Sequence, residues 1–115
     1  MTHNDASGWH AAINDIAAER RRQIEVETWT PGHDDQHDKG EMAHAAGCYA
    51  LANHRRMVWV GGNEFPDLWP WHKRWWKPGD RRRDLVKAGA LIVAEIERLD
   101  RKALSPPPQR EPQGK

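Results

Sequence analysis

The chain has 115 residues, enough for one domain but too few for two with separate hydrophobic cores. Its 18 Lys and Arg nearly balance 17 Asp and Glu, which excludes the strongly basic surface of a protein that coats duplex DNA. The single cysteine excludes an internal disulfide and a cysteine-based zinc site. No apolar run approaches the roughly 20 residues of a membrane span. We therefore expect a cytoplasmic protein without a membrane partner.

The first predicted element is a helix over residues 9–27, after a flexible lead-in at residues 1–8. The arginines at 20–22 fall mainly on its solvent side, and the turn residues at 30–32 end it. Apolar residues recur in this helix at helical spacing, which predicts one buried stripe formed by Ala12, Ile13, Ile16, Ala17, Ile24 and Val26.

The second predicted helix covers residues 39–54 and follows an aperiodic, titratable loop at residues 33–38. Asp38 is placed to cap it. Cys48 is expected to be a small buried core residue. The inward face of this helix is rich in small residues that allow a neighbouring helix to approach closely, and it comprises Met42, Ala45, Ala46, Tyr49 and Ala52.

Residues 64–79 are rich in proline and tryptophan, and their prolines disfavour a regular helix. A short extended piece at 57–60 and a turn at 61–63 precede them. A loop of this length in a small domain is usually functional or packed by its own side chains. Five of the seven tryptophans fall in it or just before it, at positions 59, 69, 71, 75 and 76.

The third predicted helix covers residues 81–102 and is capped by Asp80. Its expected core stripe consists of Leu85, Ala88, Ile92, Ile96 and Leu99. Residues 104–115 are expected to form a disordered Pro-rich tail. The predicted fold is thus all-α: a single domain over 9–103, with three main helices in a small bundle and a long Trp/Pro-rich loop between the second and third. Its small-residue faces leave apolar area to cover, which favours a homo-oligomer.

A first group of candidate site residues is suited to a divalent metal, because imidazoles and carboxylates are its natural ligands. Glu41 and His44 share one helix face at a spacing seen in carboxylate-bridged metal sites. Alternatively, the aspartates cap turns and the histidines are solvated. The group comprises His33, Asp34, Asp35, His37, Glu41 and His44.

A second group consists of carboxylates on different helices. Asp84 and Glu95 are eleven residues apart, about three helical turns, and so lie on one face. Glu19, Glu41 and Glu95, one from each helix, are predicted to converge and to bind Mg²⁺ or Mn²⁺. Alternatively, Glu19 and Glu95 pair with arginines such as Arg98.

A third group combines the aromatic loop with the cations around the start of the third helix. Aromatic faces stack on nucleobases, and arginine recognises phosphate through its planar fork. Alternatively, the rings cover a thin core and the arginines are solvated. The predicted nucleotide-binding residues are Trp69, Trp71, Trp75, Trp76, Lys77, Arg82, Arg83 and Lys87.

Several motifs mark a resemblance to a family of small proteins encoded by tailed phages and prophages, which brings no settled activity. They are ERRRQI at 19–24, WTPGHDDQH at 29–37, GE at 40–41, WPW at 69–71, WWKP at 75–78 and RDLVKAGALIVAEIERLD at 83–100. The chain is more loosely similar to the MazG-like all-α nucleoside triphosphate pyrophosphohydrolases. That resemblance implies Mg²⁺ held by carboxylates of neighbouring helices, usually in Glu-x-x-Glu and Glu-x-x-Asp motifs. Residues 97–100 match the second motif, and the chain contains no example of the first.

These observations predict a phage-encoded, metal-dependent nucleotide pyrophosphohydrolase that acts in the host cytoplasm. Glu19, Glu41, Glu95 and Asp84 would hold the metal, whose activated water attacks the phosphate chain, while an arginine neutralises the developing charge. One alternative is a non-catalytic module that sequesters a nucleotide-derived host defence signal. Another is a protein-interaction module that uses exposed tryptophans.

Overall fold

The computed structural model describes residues 3–52 and 68–104, and all regular structure within them is helical. The α-helices are α1 (His3–Glu25), α2 (Pro31–Asp34), α3 (Glu41–Ala50) and α4 (Arg81–Leu104), with a 3₁₀ helix at Lys73–Trp75. The predicted all-α fold is confirmed. The extended piece predicted at 57–60, the turn at 61–63 and the tail beyond 104 lie outside the described residues.

Helix α1 begins at His3, six residues before the predicted start, and packs against α4. Its predicted buried stripe is wrong, since Ile13 and Val26 are exposed and Ile16 is only partly buried. Polar side chains are buried instead, and they are Glu19, Arg20 and Gln23. The reason is that these side chains have charged partners: Glu19 pairs with Arg22 and Arg83, and Arg20 pairs with Asp34 and Glu97.

The two helices cross closely at Gly89 of α4. A Cβ atom at this position would lie 2.8 Å from Cδ1 of Ile16, so only glycine permits the observed approach without movement of the isoleucine. The crossing brings the C-terminal half of α1, where the buried polar side chains lie, beside the first turns of α4.

The first two residues of the predicted loop at 33–38, His33 and Asp34, belong to α2. Thr30 caps this helix by accepting a hydrogen bond from the His33 N–H at 3.2 Å, and Pro31 occupies its first turn. A four-residue helix is too short to show hydrophobic periodicity, and the sequence therefore did not predict it. Helix α3 is capped by Gly40 in the left-handed region (φ 85°) and not by Asp38.

The core lies between α3, α4 and residues 68–79, which we call the aromatic segment. The predicted inward face of α3 is confirmed, since all five of its residues and Cys48 are buried. Trp69 and Trp76 pack into this core around Tyr49, with ring centroids 5.6 and 4.7 Å from the tyrosine ring. These two tryptophans therefore supply large buried surfaces that the alanine-rich helices lack.

Helix α4 starts as predicted, with Asp80 Oδ1 accepting from the Arg83 N–H at 2.9 Å. Its predicted core stripe is wrong except for Ala88. Leu85, Ile92, Ile96 and Leu99 are between 43% and 51% exposed. A neighbouring face of α4 packs against α3 and α1 instead of this stripe, because the small residues on that face allow the helices to approach closely. The buried residues of α4 are Asp84, Val86, Ala88, Ala90, Leu91, Ala94 and Arg98.

None of the described helices is long and apolar enough to cross a membrane.

Candidate functional site

Five of the predicted site residues line one cavity, which we call the cationic cavity. It encloses about 340 Å³ between the end of α1, the start of α4 and the aromatic segment. The five are Glu19, Trp75, Lys77, Arg83 and Lys87. The other lining residues are Arg22, Gln23, Glu27, Trp29 and Tyr49. Its volume falls in the range of small-molecule sites, about 300–1,000 Å³.

Glu19 organises the cations of this cavity. Its buried carboxylate accepts from Nε and Nη2 of Arg22 at 2.8 and 3.0 Å, and it also contacts Arg83. Burial alone would raise the pKa of Glu19, but the hydrogen bonds and charge of Arg22, with the charge of Arg83, lower it on balance. Glu19 is therefore an anion that holds two guanidinium groups at the cavity wall.

Lys87 is, with Lys77, one of two cations of the cavity that form no ion pair with a carboxylate among the described residues. Its Nζ donates to the backbone carbonyl of Lys77 at 2.6 Å and lies 5.3 Å from the centre of the Tyr49 ring. Burial and then the nearby charge of Arg83 lower the pKa of Lys87. Four cationic side chains face two carboxylates in this cavity, so it carries an excess of positive charge that an anion would neutralise.

Aromatic rings form the remaining walls. Trp29 follows Thr28, whose left-handed backbone (φ 63°) is rare for a β-branched residue. The Trp29 N–H then donates to the carbonyl of Gln23 at 2.8 Å, which turns the chain back toward α1. On the other side, Tyr49 Oη accepts from the Lys77 N–H at 3.0 Å and ties α3 to the aromatic segment.

A second cavity of about 270 Å³, the histidine cavity, shares Trp29 and Trp75 with the first. His33 and His37 meet there with their Nε2 atoms 3.4 Å apart. The lining residues are Trp29, His33, His37, Trp71, His72 and Trp75. The predicted metal-binding group is thus partly assembled, since its two loop histidines lie in contact.

The two adjacent aspartates of this group have different environments. Asp34 is buried, and its Oδ2 accepts from Arg20 Nη2 at 2.8 Å, while its Oδ1 lies 3.3 Å from His33 Nδ1. Asp35 is exposed and pairs with Arg101 at 2.7 Å. The predicted solvent position of Arg20 is wrong, because this guanidinium is buried between Asp34 and Glu97.

The three glutamates predicted to converge have separate partners. Glu41 accepts from the Lys39 N–H at 2.8 Å and lies 3.7 Å from His37, whereas Glu95 pairs with Arg98 at 2.8 Å. Glu19 lies in the cationic cavity. No group of three His, Cys, Asp or Glu side chains is placed to hold a metal ion within residues 3–52 and 68–104.

Most of the remaining predicted residues lie outside both cavities. Asp84 is fully buried and accepts from the Gly79 N–H at 2.6 Å, so it anchors the chain entering α4. His44 is exposed on α3, and Arg82 pairs with Asp15. Trp69 and Trp76 belong to the core, whereas Trp71 lines the histidine cavity.

Sequence reasoning missed half of the cationic cavity: Arg22, Gln23, Glu27, Trp29 and Tyr49. Trp29 lies just before the titratable loop at residues 33–38, and this position in the sequence could have indicated that it belongs to the site. Arg22 and Gln23 gave none, since only the packing of α1 on α4 turns their side chains toward this cavity.

Searches against protein-family models, curated proteins and solved structures found no match.

Proposed function

We propose that the chain binds a small anionic ligand with an aromatic ring, of the nucleotide class, in the cationic cavity. The observation that carries the proposal is Lys87, a partly buried ammonium group without a carboxylate partner in the described structure, beside the guanidinium groups of Arg22 and Arg83. A phosphate group would relieve the repulsion among these cations and accept their hydrogen bonds.

The walls of the cavity fit the rest of such a ligand. Trp29 and Trp75 are partly exposed aromatic rings beside the cations, and stacking on such rings binds nucleobases without regard to base identity. Glu19 keeps two arginines in place before a ligand arrives, which reduces the entropy lost on binding.

Binding without turnover is favoured over the predicted pyrophosphohydrolase. Hydrolysis of this kind uses a metal held by several carboxylates, and Glu19, Glu41 and Glu95 each have different partners in the structure. Glu19 is engaged with arginines, which compete with a metal for its oxygens. We therefore propose a sequestering module that holds a nucleotide or a nucleotide-derived signal intact.

The test is equilibrium binding of a panel of nucleoside mono-, di- and triphosphates and cyclic nucleotides, with Mg²⁺ or with chelator. Bound ligand is recovered after denaturation and identified by chromatography. We expect saturable binding and intact ligand. Arg83→Gln and Lys87→Gln should each raise Kd roughly 10- to 100-fold, because each removes one charge-assisted contact.

Arg82→Gln is the matched control, since Arg82 neighbours Arg83 but pairs with Asp15 outside the cavity. It should leave Kd within about two-fold of the unmodified protein, as expected for a solvent-exposed charge. Absence of nucleotide binding, or an equal loss of affinity in Arg82→Gln and Arg83→Gln, would overturn the proposal. Metal-dependent release of phosphate or pyrophosphate would also overturn it and would show that the chain is a hydrolase.

We also propose that a second copy of the chain covers the exposed apolar stripe of α4, which consists of Leu85, Ile92, Ile96 and Leu99. Trp9 and Ile13 of α1 are exposed as well. Contact between two copies of the chain would remove these side chains from water, and burial of apolar surface drives most protein association. Leu85, Ile92 and Leu99 recur every seven residues, which is the heptad spacing of helices that pair with one another.

Sedimentation equilibrium of the full chain tests this interface. We expect a dimer that Ile96→Glu dissociates, because the substitution would bury a carboxylate at the centre of the stripe. Leu104→Glu is the control, since Leu104 is 85% exposed on the same helix but faces away from the stripe. A monomeric unmodified chain, or equal dissociation by both variants, would contradict the proposal.

A further inference from the structure

The histidine pair in the histidine cavity has an arrangement that a bound metal ion explains. His33 and His37 are one helical turn apart in sequence, and their ring centroids lie 4.7 Å apart with the rings inclined at 63°. Their Nε2 atoms face each other at 3.4 Å. Both rings are partly exposed to the cavity, which leaves access from solvent.

A carboxylate lies near the Nδ1 atom of each histidine ring. His33 Nδ1 lies 3.3 Å from Asp34 Oδ1, and His37 Nδ1 lies 3.7 Å from Glu41 Oε2. A carboxylate next to Nδ1 favours the tautomer in which Nδ1 carries the proton. Asp34 is itself held by Arg20 at 2.8 Å, so the orientation of the His33 ring is supported by a further buried contact.

With both protons on Nδ1, the two Nε2 atoms are lone-pair acceptors that point at each other. At 3.4 Å one ring would donate a hydrogen bond to the other if its proton were on Nε2. With both protons on Nδ1, the two lone pairs repel, and a cation between them would relieve that repulsion. Two imidazole nitrogens bound to one tetrahedral Zn²⁺ at about 2.0–2.1 Å are themselves about 3.4 Å apart. The observed separation therefore equals that of two ligands on one ion.

We propose that His33 and His37 bind a divalent transition-metal ion of the zinc type through their Nε2 atoms. Asp34 and Glu41 lie beside the Nδ1 atoms and fix the tautomers, and the remaining coordination positions face the histidine cavity. This differs from the predicted Mg²⁺ site, since imidazole nitrogen favours zinc, nickel or copper over magnesium. The proposal is independent of nucleotide binding, because none of its four residues lines the cationic cavity.

The experiment titrates the metal-stripped full chain with Zn²⁺ by calorimetry, without nucleotide. We expect one ion per chain. His33→Ala and His37→Ala should each weaken binding at least ten-fold, and Co²⁺ substitution should give the visible absorption of a nitrogen-ligated ion. His44→Ala is the matched control and should bind as the unmodified protein does, because His44 is exposed on α3 away from the pair.

A second measurement does not depend on how the variants fold. In ¹⁵N spectra of the histidine rings of the unmodified protein, Zn²⁺ should shift the Nε2 resonances of His33 and His37 and leave those of His44 unchanged. The proposal is overturned if no equimolar Zn²⁺ binding occurs, if Zn²⁺ shifts neither ring, or if His44→Ala weakens binding as much as His33→Ala.

Discussion

The adjacent aspartates Asp34 and Asp35 allow a comparison of a buried and a surface ion pair within one dipeptide. Asp34→Ala removes the partner of Arg20, whose side chain is only 6% exposed, and leaves a guanidinium group buried. Breaking a buried pair in this way costs about 3–5 kcal/mol. We expect the lower end, about 3 kcal/mol, because Arg20 keeps its contact with Glu97 at 2.9 Å.

Asp35→Ala removes a pair with Arg101 that lies at the surface. Such pairs contribute about 0–1 kcal/mol, since water screens both charges. Both variants replace an aspartate with alanine, and they lie at consecutive positions. The difference between their losses in free energy of unfolding therefore reports the effect of burial. A small domain is stabilised by only about 5–15 kcal/mol in total, which makes the predicted difference large.

Urea unfolding followed by circular dichroism, in chelator so that bound metal does not contribute, measures both free energies. With a slope of roughly 1–3 kcal/mol per molar urea, the midpoint for Asp34→Ala should fall by more than about 1 M. On the same slope, the midpoint for Asp35→Ala should fall by no more than about a third as much. Losses in unfolding free energy that agree within about 1 kcal/mol would refute the assigned difference in burial.

Two further predictions follow from buried titratable groups. Burial raises the pKa of Tyr49 to about 12, partly opposed by the Lys77 N–H. The unfolded tyrosine ionises near pH 10, so the free energy of unfolding should fall as the pH rises from about 10 to 12. Absorbance at 295 nm detects ionisation of this single tyrosine, and a folded-state midpoint near 10 would contradict its burial. Burial likewise raises the pKa of Cys48 to about 11. Its thiol should therefore react with an aromatic disulfide at pH 8 only after unfolding, because the thiolate is the reactive form; rapid reaction of the folded chain would disprove this.

The comparison of sequence and structure shows where pattern reasoning works in this chain. The inward face of α3 was predicted correctly because Met42, Ala45 and Tyr49 are its largest apolar residues at three- and four-residue spacing. The cap of α4 at Asp80 was predicted correctly because N-capping depends on neighbouring backbone N–H groups alone. Both are local properties of the sequence.

The faces of α1 and α4 were predicted incorrectly for one common reason. Hydrophobic periodicity identifies an apolar face but not what covers it, and the rule that this face meets the core assumes a monomer. In α4 the alanine-rich face packs against α3, and the face that carries Ile92 and Ile96 is left exposed. In α1 the buried side chains are polar, because Glu19 and Arg20 find partners on other elements and Gln23 donates to Glu19.

The sequence by itself therefore determined the helical class, the main helices and the residue types of the candidate site, since these depend on local spacing and composition. The tertiary structure decided which of those residues meet. It brought Glu19, Arg83 and Lys87 to one cavity, joined His33 to His37, and gave Glu41 and Glu95 other partners. The physical reason is that a side chain's neighbours depend on how whole helices cross, which is set by close approaches such as Gly89 on Ile16 and leaves no periodic signal in the chain.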